Sequence, residues 1–233
     1  MGRGPIRSLC AFRRGSAAGL ARLREATARE GVTVGQVALV ATASALADRG
    51  AVPLDVEVDL RRHAGPAIGD EVVGLYTGGV RVSVDLDRGF WDAARSAGRQ
   101  LRTLIAWNVP VLVHVAMDAS DPRRVLDEAG CDLALPGVAP NVSNVGRYPY
   151  PVDHGSLVLR EVYGGNGVVP RGAPLMVWLR GLPDGICYNA VGAAPFVSRG
   201  TLERVLDSVV ALCESPPARK AELAPLARRT LVG

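Results

Sequence analysis

The sequence is poor in histidine and almost devoid of lysine. His63, His114 and His154 stand far apart in 233 residues, and Lys220 is the only lysine. Cys10, Cys131, Cys187 and Cys213 include no CxxC pair. Their spacing excludes the usual thiolate metal frameworks, and a chain of this length folds without disulfides, so reduced cytosolic thiols are expected. No long hydrophobic run exists either. The strongest apolar window, Val37 to Ala47, is far shorter than the roughly 20 residues that cross a bilayer. The N-terminal arginines Arg3, Arg7, Arg13 and Arg14 precede no apolar h-region, which excludes a secretory leader. Ile6 stands where N-myristoylation needs Ser or Thr. No HExxH, GxSxG or GxxxxGK[ST] occurs, so the common zinc-protease, hydrolase and nucleotide signatures are missing.

What is present is a folding composition. Hydrophobic residues make up 48% and charged residues 21%, enough to build a core and to exclude a disordered chain. Glycine (27) and proline (16) are frequent but without period, which excludes a collagen-like repeat. The net charge of +4 comes almost wholly from arginine interleaved with Asp and Glu. Such mixing opposes a nucleic-acid footprint, which needs clustered positive charge. A cytoplasmic protein with no membrane span and no nucleic-acid partner is expected.

Periodicity places the elements. Leu20, Leu23 and Ala26–Thr27 form the stripe of a helix from about Ala17 to Glu30, stopped by Gly31. Thr33 and Gln36 make a capping box for a second helix with a small-residue face, Val37, Val40, Ala41, Ser44 and Ala47. Leu54 to Arg61 alternates apolar and charged residues, as a strand with one buried face does. Further strands are expected at Val72–Tyr76 and Val80–Val84, followed by an amphipathic helix from Phe90 to Trp107, with Pro110 interrupting any continuation. Asp121 to Ala129 reads as a short helix. Val142–Val145, Leu157–Val162, Leu175–Leu179 and Ile186–Val191 read as strands, separated in part by turns at Gly164–Gly167 and Leu182–Gly185. The last helix runs from about Arg199 to Cys213, capped by Ser198. The order implies an α/β fold with a mixed β-sheet flanked by helices. Residues 1–214 form one lobe and 215–233 a charged tail rich in Ala and Pro.

Candidate chemistry is sparse. Asp153-His154 offers a base beside a carboxylate, although neighbours in a turn rarely adopt that geometry. The Gly164–Gly167 run precedes a strand, which suits a hairpin better than a phosphate cradle. Asp55, Glu57 and Asp59 share one strand face, either as a solvated face or as ligands for a cation.

Several segments, in order, resemble the C-terminal half of the condensation-domain and chloramphenicol-acetyltransferase-like acyltransferase superfamily. The polyketide-associated acyltransferase and alcohol O-acetyltransferase branches are the nearest in pattern. The segments are Gly31-Val32-Thr33-Val34, Val58-Asp59-Leu60-Arg61, Val73-Gly74-Leu75-Tyr76, Phe90-Trp91-Asp92-Ala93-Ala94 and Val142-Ser143-Asn144-Val145-Gly146. The resemblance runs from about Arg7 to Cys213. It implies a single chloramphenicol-acetyltransferase-like lobe and transfer of an acyl group from a thioester to a hydroxyl or amine, in lipid, polyketide or secondary metabolism.

In that family a second lobe carries HHxxxDG, whose second histidine deprotonates the acceptor. This chain contains no such motif. Tyr188-Asn189 and Ala193-Ala194 stand where a single-lobed member carries His-His and Asp-Gly. The resemblance therefore implies a chain inactive alone, completed by a separate or missing N-terminal lobe. It gives Ser143 the role of oxyanion donor and Arg61 that of bracing the opposite lobe's catalytic loop. Asp59, Asn144 and Tyr76 are expected in substrate binding. No tightly bound cofactor or metal is implied, the acyl donor being acyl-CoA or a carrier-protein phosphopantetheine thioester. The alternative is a degenerate, non-catalytic module that grips a partner protein or self-associates.

Overall fold

The computed structural model describes residues 7–118 apart from positions 64, 65, 67, 70, 73 and 75, together with 139–164 and 175–218. Its centre is a six-stranded mixed sheet. The strands are β1 (Arg7–Arg14), β2 (Ala51–Asp59), β3 (Thr77–Asp85), β4 (Asn141–Arg147), β7 (Leu175–Leu182) and β8 (Gly185–Ala194), in the order β1-β8-β7-β4-β2-β3. β4 runs parallel to both β2 and β7, and the remaining pairs are antiparallel. A two-stranded hairpin, β5 (Asp153–His154) with β6 (Leu157–Val158), stands apart.

The helices are α1 (Ala17–Glu30), α2 (Val34–Leu46), α3 (Phe90–Ala106), α4 (Val109–Asp118) and α5 (Arg199–Glu214). α2 lies between α3 and α5 against the sheet and is buried on every side from Gln36 to Ser44. Its small residues permit that placement, because two helices and the sheet must all approach it. The core joins Leu54, Val56, Val82, Val142, Val177 and Leu179 of the sheet to Val37, Val40, Ala94 and Leu206 of the helices.

Local signals account for the helix ends. Thr33 Oγ1 accepts from Gln36 N, and Gln36 Oε1 accepts from Thr33 N at 2.8 Å, so the capping box is complete. Gly31 closes α1 with φ +64, a conformation that suits glycine. Ser198 caps α5 through Thr201 N. At Gly98 of α3 an added Cβ would fall 1.7 Å from Gln36 Nε2. Gln36 cannot swing aside without opening the capping box. Gly98→Ala is expected to cost roughly 1–2 kcal/mol through overpacking, read from urea denaturation midpoints.

Several expectations are corrected. In the stretch expected as a strand at Val72–Tyr76, the described residues Val72, Gly74 and Tyr76 belong to none: Val72 is 42% exposed, and the alternation that β2 recruits starts at Thr77, which pairs with Asp59. β2 begins at Ala51 and tolerates Pro53, while Arg61 lies beyond it in a 3-10 turn, Arg61–His63. The long helix ends at Ala106, ahead of Pro110 as expected, and Pro110 lies in a separate helix that follows it. The proline sits in the first turn of α4, where its missing N–H has no helical partner to lose. Leu157–Val162 is a strand only over its first two residues; from Leu159 the chain is irregular. β1 is an added strand whose short alternation is masked in the sequence by the arginines that flank it. The expected helix at Asp121–Ala129 and most of the Gly164–Gly167 turn lie outside the described residues, as does the tail from 219 onward. No described helix is long and apolar enough to cross a membrane.

Candidate functional site

β2 and β4 pair over only two residue pairs, Asp55 with Asn141 and Val56 with Val142, and then part. Beyond them β4 shifts register against β7 between Asn144 and Arg147, with Gly146 at φ +72. A bulge of this kind bends the strand and increases its twist. The result is a cleft of about 510 Å³ at the carboxyl ends of two parallel strands. Its lining includes Glu57 and Asp59 of β2, Arg61, Ser143 to Arg147 of β4, Tyr148, Tyr150 and Arg180 of β7.

Strand parity sets which side chains face it. With Val56 and Val142 on the helix side, Glu57 and Ser143 fall on the other. Ser143 is only 2% exposed, and its hydroxyl donates to Glu57 Oε2 at 3.0 Å across the fork. Asn144 falls on the opposite parity. Its Oδ1 accepts from Gly146 N at 3.2 Å, tying the bulge, and its amide nitrogen lies close to Gly35 at the start of α2. Arg61 is held within its own lobe. Its backbone N–H donates to Asp59 Oδ1 at 3.0 Å, its Nη2 to Val72 O at 3.4 Å, and its guanidinium lies 4.8 Å from the Tyr76 ring centroid.

Four of the five residues singled out in the sequence, Asp59, Arg61, Ser143 and Asn144, thus line one cleft. Tyr76 is reached through Arg61. Glu57 and Arg180 were not singled out as site residues. Glu57 was visible only as one of three alternating carboxylates, and Arg180 had no signal short of the β4–β7 register.

The other candidates disperse. Asp55 is held by Arg81 in a two-pronged pair at 2.7 and 2.9 Å, which raises the Arg81 pKa through the hydrogen bond. Asp153 Oδ1 accepts from Gly155 N and caps the turn, while His154 is exposed beside it. Among the described residues no group of three or more His, Cys, Asp or Glu could hold a metal. Cys10, Cys187 and Cys213 are free thiols. Cys213 is buried against the Tyr188 hydroxyl, and burial pushes its pKa up to about 12.

No protein-family model matches the sequence, and no curated protein matches it. Solved structures do. The trichothecene 15-O-acetyltransferase TRI3 from Fusarium sporotrichioides superposes with a TM-score of 0.67 at 15% identity, over 91% of this chain and 48% of that one. The fold is that of a condensation-type acyltransferase lobe. The condensation domain of the Monacolin K polyketide synthase MokA follows at TM-score 0.61 and 12% identity, over 89% of this chain and 46% of its own. The X-domain of teicoplanin biosynthesis, solved in complex with OxyB, gives 0.56 at 19% identity, over 90% and 46%. The chain spans about half the length of these structures.

Within this lobe the segment equated with HHxxxDG is buried. Tyr188 is 1% exposed and Asn189 is fully enclosed, flanked in the sheet by Phe12 and Trp178. Neither side-chain amide atom of Asn189 has a hydrogen-bond partner among the described residues. A buried orphan amide costs folding energy that an apolar side chain of similar shape does not. Asn189→Leu is expected to stabilise the fold by about 2 kcal/mol, seen as a higher urea midpoint at unchanged slope. A lower midpoint would mean that the amide is satisfied.

Proposed function

We propose that the chain is the C-terminal half of a condensation-type acyltransferase that moves an acyl group from an acyl-CoA or a carrier-protein thioester to a hydroxyl or amine. The acceptor's oxygen or nitrogen attacks the thioester carbonyl, and its proton passes to the second histidine of an HHxxxDG on another lobe. Ser143 donates a hydrogen bond to the tetrahedral oxyanion and keeps its proton. Collapse of that intermediate expels the thiolate, which takes the acceptor's proton back from the imidazolium. Asp59 and Arg61 shape the wall on one side of Ser143 and Asn144 holds the bulge on the other. The observation that carries the reading is the convergence of these residues on the fork between β2 and β4.

No histidine is among the described residues lining the cleft. The test is the size of the native protein in its own cells, by blotting with an antibody to residues 199–213. A band near twice the mass of this chain is expected if both lobes are one polypeptide. A band at 24.4 kDa requires a separate lobe to co-purify with it. If neither is found, the reading fails.

A second reading, a non-catalytic binding module, is favoured by the apolar surface where α3 meets α4. Trp107 is 74% exposed, Leu112 61% and Val115 57%. That cluster suits a partner's surface. Light scattering after size exclusion is expected to show association; a monomer at every concentration counts against self-pairing through this face.

A further inference from the structure

We infer that Arg180 is an anchor for an anionic oxygen group, a carboxylate or a phosphate ester, on a substrate lying in the Ser143 cleft. The inference rests on the acyl-transfer reading of that cleft and adds the class of ligand it takes.

The argument starts from the sheet. In the β4–β7 register Ser143 lies opposite Trp178, so Arg180, two residues on, falls on the same face of the sheet. Its Nη1 donates to Val145 O at 3.1 Å and its guanidinium sits 5.6 Å from the Trp178 ring centroid. These contacts fix the side chain in place but neutralise nothing. Among the described residues no carboxylate forms an ion pair with Arg180, and its Nε is buried without a hydrogen-bond partner.

The neighbouring carboxylates are engaged elsewhere: Glu57 by Ser143, Asp59 by Arg61, Asp55 by Arg81. Partial burial pulls the Arg180 pKa below its ordinary value, partly offset by Tyr148 and Tyr150. Arg147 lines the same cleft, exposed, and adds a second positive charge at its mouth. A half-buried guanidinium with no carboxylate partner among the described residues has donors to spare, and its planar fork suits carboxylate and phosphate oxygens.

Two sources carry such oxygens, the donor's pantetheine arm and an acidic acceptor. Calorimetric titration of the full chain distinguishes them with two probe pairs: 4′-phosphopantetheine against pantetheine, and 4-hydroxyphenylacetate against its methyl ester. The anionic member of one pair is expected to bind at least about tenfold tighter, and Arg180→Gln should erase that preference while Arg180→Lys retains part of it. Preference in the first pair assigns the anion to the donor, in the second to the acceptor.

If Arg180→Gln does not fold, phenylglyoxal labelling of the wild-type chain replaces it. The preferred anion should then protect Arg180 in peptide maps. No preference in either pair, or a preference that survives Arg180→Gln, or an unprotected Arg180, overturns the inference. The oxyanion role of Ser143 is judged by rate and this one by ground-state binding, so either can fail without the other.

Discussion

Acyl transfer by this chain alone, from short acyl-CoA donors to simple alcohols, is expected to stay near the uncatalysed rate. Supplying the lobe that carries HHxxxDG should raise it by about 10²–10⁴-fold, the usual contribution of a positioned general base. His63 lies in the turn after β2 and His154 in an exposed hairpin, and neither lines the cleft. His114 falls within α4. Replacing His63 or His154 by Ala should therefore leave both rates unchanged. Robust turnover by the isolated chain, abolished by one of these substitutions, would sink the proposal. It would also revive an unrelated mechanism, with Asp153-His154 as the first place to look.

The fold was legible wherever a residue's partners are close in sequence. The capping box at Thr33–Gln36, the stop at Gly31 and the cap at Ser198 rest on contacts within four residues, and each helix they govern sits where periodicity placed it. Strands β1 and β3 depend on what lies alongside. Arg7–Arg14 becomes a strand because β8 offers it an edge, and β3 starts at Thr77 because that is where β2 begins to pair with it.

The site divides in the same way. Ser143 and Arg61 sit in short motifs whose residues a resemblance can pick out. Glu57 and Arg180 owe their place to strand register: 86 residues separate Glu57 from the serine it binds, and no local pattern marks that distance. The cleft itself comes from two parallel strands that part after two residue pairs, a feature invisible in either strand alone.

In the completed enzyme, Ser143→Ala is expected to lower kcat and kcat/KM together by about 10²–10³-fold, the usual loss for one oxyanion donor. The equal fall matters, because a contact made only in the transition state leaves substrate binding alone. Glu57 makes the prediction sharper. At rest the Ser143 proton points to Glu57 Oε2 at 3.0 Å, so the hydroxyl must rotate before it can serve an oxyanion. The same geometry would suit a nucleophilic serine with Glu57 as its base. Glu57→Gln separates the two roles. It keeps an acceptor for the resting hydroxyl and removes a negative charge from beside the developing oxyanion, so an oxyanion-donor Ser143 predicts a rate equal to or above wild type. A nucleophilic Ser143 predicts a fall of 10²-fold or more, since the amide cannot take the proton. Trapping distinguishes them again: an acyl group found on Ser143 by mass spectrometry after mixing with acyl-CoA would establish the nucleophile and exclude the oxyanion role argued from the fork.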